Sequence, residues 1–124
     1  MTTIDLEKEV PLYRSALHGN VEALEALDLL EDYDFDAEET LYAAWDEYEG
    51  ASQQERGANT DRVREALSKV RKVICQDAHS QELTAATIAT TLDSVIQLTG
   101  FPPSLVTILL MYVLKVGIEE FCEL

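Results

Sequence analysis

The 124-residue chain is poor in the residues that usually announce a function: two cysteines, two histidines, three prolines, five glycines and one tryptophan. Two cysteines are too few for a disulfide scaffold, so the core has to come from apolar burial. Cys75 and Cys122 fall in apolar, helix-patterned stretches and read as free, core-like thiols of a reduced chain. Cations are scarce as well, with Lys+Arg 9 against Asp+Glu 24 and a formal net charge of -15. Such a field repels phosphate polyanions and anionic lipid surfaces, which argues against direct nucleic-acid binding and against membrane docking.

Long hydrophobic runs are also missing. The most apolar stretch, LVTILLMYVLKVGI, covers residues 105–118 and is interrupted by Lys115. A membrane-spanning helix needs roughly 20 apolar residues, so this stretch reads as a buried central helix. The opening MTTIDLEKEV has neither a basic nor an apolar leader region, and the expected location is cytoplasmic.

What is present is helical periodicity, and the expected fold is all-α with five or six helices. Pro11 suits the first turn of a short helix, and the residues before it leave a helical turn or an extended arm open. Asn20 caps a helix VEALEALDLLED, in which Ala23, Leu24, Leu27 and Leu30 share one face. Asp36 and Glu39 have capping-box spacing. The helix they open carries Leu41, Ala44, Trp45 and Tyr48 as an apolar stripe. GASQQERGANT, residues 50–60, reads as a flexible loop between an acidic helical subdomain (1–49) and a helical core (61–124). Asn59 or Thr60 then caps a helix reaching about Asp77, striped with Val63, Leu67, Val70 and Ile74. A further helix ends at Gly100, and Ser104 caps the last one, expected to run to Cys122.

Charge is uneven along this pattern. Residues 1–60 hold 16 acidic and 3 basic residues, a balance of -13, while residues 61–124 hold 8 and 6, a balance of -2. Most of the excess lies in 31–49, where carboxylates alternate with aromatics. The residues expected to meet a partner are Asp32, Asp34, Asp36, Glu38, Glu39, Trp45, Asp46, Tyr48 and Glu49. Fixed carboxylates would steer a basic protein surface and an aromatic would anchor it. A solvated face is the plainer reading of the same block. Mimicry of a nucleic acid, inhibiting a DNA- or RNA-binding enzyme, is a sharper version of the docking reading.

Other constellations are weaker. Asp32-x-Asp34-x-Asp36 starts like an EF-hand, but Ala37 and Ala43 stand where glycine and a bidentate glutamate belong. A carboxylate-only calcium site is the alternative left by that match. Cys75 and His79 are four residues apart, yet zinc wants four ligands and a catalytic pair wants an orienting group. No phosphate loop, nucleophile elbow or HExxH pattern occurs. The reading is therefore a non-enzymatic protein without cofactor or metal, acting by protein–protein contact as a regulator, adaptor or inhibitor. The basic helix with Arg62, Arg64, Lys69, Arg71 and Lys72 is expected to face the acidic helices. The last helix could instead form a homodimer, in which case Leu109→Lys should dissociate it.

Overall fold

The computed structural model describes residues 6–49, 56–75 and 87–123. Among them every regular element is helical: α1 (Leu6–Ala16), α2 (Val21–Asp32), α3 (Ala37–Glu49), α4 (Arg56–Ile74), α5 (Ile88–Thr99), α6 (Pro103–Val116) and α7 (Ile118–Glu123). The count is seven, not five or six. The extra element arises because Gly117, at φ +98°, ends α6 and restarts the chain as α7. An L-residue resists that conformation and glycine does not. The stretch expected as one helix to Cys122 is therefore two.

α6 is the central element and packs on α1, α2, α3, α5 and α7. Every side chain from Leu105 to Met111 is buried, followed by Val113 and Leu114. Thr107 remains dry because its hydroxyl donates to the Pro103 carbonyl at 2.7 Å, which removes the cost of burying an unpaired hydroxyl. Leu109 is fully buried inside its own chain. Leu109, the position named for disrupting a homodimer, is thus a core position of the single chain.

No single helix among the described residues is long and apolar enough to cross a membrane. α5 and α6 together pass by length and composition but are bent by 117° at the break between them. Gly100, left-handed at φ +75°, caps α5 by donating to the Ile96 carbonyl. α6 then starts at Pro103, not after Ser104, since proline at the first helical position loses no hydrogen bond.

Two other boundaries differ from expectation. α1 starts at Leu6, which places Pro11 inside the helix. Burial of Leu6, Val10, Tyr13 and Leu17 on one stripe offsets the hydrogen bond proline cannot donate. α4 starts at Arg56 and so takes in the last residues of the expected loop. A helix can outrun its apolar stripe because the backbone ladder needs no side-chain burial to continue. The expected end of this helix near Asp77, and His79 with it, lie outside the described residues.

The thiols are corrected outright. Cys75, just after α4, and Cys122, in α7, form a disulfide with 5.7 Å between their Cα atoms. The turn at Gly117 is what aims α7 back at α4, burying Phe121 under the Arg71 guanidinium, 5.2 Å from the ring centroid. The expectation of a reduced chain was drawn from free thiols, and the pairing removes that part of the support for a cytoplasmic location.

Candidate functional site

The acid-rich segment is built by one turn and one cap. α2 ends in a Schellman motif, with the Asp34 amide donating to the Glu31 carbonyl and the Phe35 amide to the Leu30 carbonyl. Asp34 and Phe35 take φ values of +58° and +62°, in the region glycine would normally fill. Phe35 packs against the core while Asp34 faces solvent. Asp36 then caps α3, its carboxylate accepting from the Glu39 amide at 3.1 Å. The return half of a capping box is not needed, because the Asp36 amide already donates to the Tyr33 carbonyl.

The consequence is a ridge of charge. Asp32, Asp34, Asp36, Glu38 and Glu39 are all exposed, and among the described residues none of them holds an ion pair. Further along α3, Asp46 is half-buried and Tyr48 is 45% exposed. Glu49 closes the helix. Trp45 behaves differently at 3% exposure: its ring packs edge-on to Tyr48 and Phe101, and its indole N–H finds no acceptor among the described residues. Of the two aromatics expected to anchor a partner, Trp45 is therefore core and Tyr48 is exposed, as is Tyr33 beside the carboxylates at 39%.

Neutralisation inside the chain comes from an unexpected place. Arg14 on α1 reaches across to Asp28 at 2.8 Å and Glu31 at 2.6 Å. The hydrogen bond to Glu31 holds the guanidinium above its ordinary pKa. α4 does pack beside α3, but Lys69 sits 5.9 Å from the Phe101 ring centroid and Arg71 lies over Phe121. These cations cover rings of the α4–α7 side. Where α3 meets α6, burial raises the Tyr112 phenol above its ordinary pKa, with Glu38 adding to the shift.

Sequence reasoning missed a groove of about 300 Å³ between α2, α3 and the start of α6. Ala26, Leu29, Ala44, Leu105 and Ile108 supply its apolar lining, and Glu25, Glu47, Tyr48 and Ser104 its polar groups. It exists because Ala26 and Ala44 are too short to fill the space between their helices. The alanines were visible in the sequence, but their facing one another was not. Glu25 and Glu47 are exposed and, among the described residues, without an ion-pair partner.

This lining contains neither imidazole nor thiol; its polar side chains are two carboxylates, a phenol and a hydroxyl. Among the described residues no group of three His, Cys, Asp or Glu side chains could hold a metal ion. That includes Asp32, Asp34 and Asp36, and Cys75 is committed to its disulfide. No protein-family model, curated protein or solved structure matches the chain.

Proposed function

We propose that this is a non-enzymatic protein-interaction module that docks a basic protein surface through the ridge of α2 and α3. The observation that carries the reading is the ridge itself. Five carboxylates from Asp32 to Glu39 are exposed and, among the described residues, without an ion pair, while Asp28 and Glu31 nearby are matched by Arg14. Unmatched charge of one sign steers a partner of the other sign and repels nucleic acid. Tyr48 supplies the amphipathic contact that such interfaces favour.

The test is a pulldown from the native host at low and high salt, with retained proteins identified. It runs beside a variant carrying D34N, D36N, E38Q and E39Q. Asparagine caps a helix as well as aspartate does, so the variant keeps α3. Each exposed pair contributes about 0.2–1 kcal/mol, so losing four weakens binding by at least about fourfold. A basic protein retained at low salt, released at high salt and lost in the variant is the expected result. Retention indifferent to both salt and variant overturns the reading.

A further inference from the structure

We propose that the groove between α2, α3 and α6 receives an arginine side chain of the basic partner. The inference rests on the docking reading above and specifies what enters the surface and where. At about 300 Å³ the groove sits at the lower limit of small-molecule pockets. That is room for a side chain or two, not for an extended cofactor. Its lining is apolar along Ala26, Leu29, Leu105 and Ile108, and it carries the carboxylates of Glu25 and Glu47. A ligand matching both needs a flexible apolar stem ending in a cation, which describes arginine and lysine.

Two features favour arginine. Its planar guanidinium can bridge carboxylates and stack on an aromatic face, and it sheds water more readily than an ammonium. Tyr48, 45% exposed and part of the lining, offers such a face. One feature opposes any cation: the start of α6 contributes Pro102 and Ser104 to the groove, and a helix N-terminus carries roughly half a positive charge. Two full carboxylate charges outweigh it. Among the described residues no cation pairs with Glu25 or Glu47, in contrast to Asp28 and Glu31 one helical turn away under Arg14.

The experiment titrates the ¹⁵N-labelled full chain with an alanine-based helical peptide carrying three arginines. The control is the same peptide with citrulline, which keeps the shape and loses the charge. The arginine peptide should shift the amides of Ala26, Leu29, Ala44 and Tyr48, and the citrulline peptide should not. E25Q/E47Q should weaken the arginine peptide about three- to tenfold. Ala44→Leu, which fills the groove and leaves every carboxylate in place, should abolish the groove shifts. Equal binding of the citrulline peptide overturns the proposal. So do shifts confined to residues 32–39 with affinity unchanged in E25Q/E47Q, an outcome that leaves the ridge reading standing. The absence of any shift with the arginine peptide overturns both.

Discussion

The two halves of this molecule are held by different means. In α4–α7 a covalent bond joins Cys75 to Cys122, and cations lie over the rings of Phe101 and Phe121. In α1–α3 the side-chain contacts are caps and ion pairs at the surface: Asn20 on the Ala23 amide, Asp36 on the Glu39 amide, Arg14 on Asp28 and Glu31. The first half keeps its polar chemistry turned outward and borders an open groove, while the second lays two of its cations, Lys69 and Arg71, over the rings of Phe101 and Phe121. α6 serves both, burying apolar side chains against α2 and α3 on one side and α5 on another. The difference teaches that the charge asymmetry of the sequence is matched by a difference in how the two halves are held, and under the docking reading proposed above the acidic half is the one offered to a partner.

The most severe way to break the comparison is to remove what the halves share. Leu109→Lys places a charge at a fully buried site on α6, where no desolvated cation is tolerated unpaired. We expect the helical circular dichroism to collapse and both halves to be lost together. A folded variant with only a smaller mass in light scattering would support the dimer interpretation of this helix. Next in size is the disulfide. Closing a loop across a sequence separation of 47 stabilises by roughly 2–4 kcal/mol, on the order of 10 °C in melting temperature for a chain of this length. Cys75→Ala with Cys122→Ala should lower the melting temperature by that amount, and reductant should do the same to the unsubstituted chain alone. A melting curve unmoved by either change would mean that the covalent tie contributes nothing to holding the second half closed.

How much of this could be read from the sequence follows the same division. Local chemistry was legible: Asn20 and the run to Asp32 give α2 its observed bounds, Gly100 ends α5, and the unbroken apolar character of 105–114 marks the central helix. What needed three dimensions was not. Nothing in spacing pairs Cys75 with Cys122, since the bond depends on Gly117 turning α7 back onto α4. Trp45 and Tyr48 lie on one nominal stripe and both rings meet Phe101, yet only the fold shows that the first is core and the second partly exposed. Arg14 matches Asp28 and Glu31 because α1 lies beside α2, a fact absent from the composition of 31–49. The groove is the extreme case, because it is defined by atoms that Ala26 and Ala44 do not have.

The smallest effect sharpens the comparison most, because it separates stability from docking at one residue. Asp34 occupies the left-handed position of the Schellman motif at φ +58°. An L-residue there costs up to about 1–2 kcal/mol, less for aspartate than for most, and glycine escapes it. Glycine's greater freedom in the unfolded chain takes some of that gain back. Asp34→Gly should therefore stabilise the fold by about 0.5–1 kcal/mol in urea titration while deleting one carboxylate of the ridge. Affinity for a basic partner should fall as stability rises. Phe35, left-handed at the next position, supplies the control, because its ring packs against the core. Phe35→Gly gains the same backbone relief and loses that burial, so it should destabilise. If Asp34→Gly destabilises as well, the carboxylate is holding the turn and not waiting for a partner. The open half would then be acidic for its own architecture, and the contrast with the closed half would be one of construction alone.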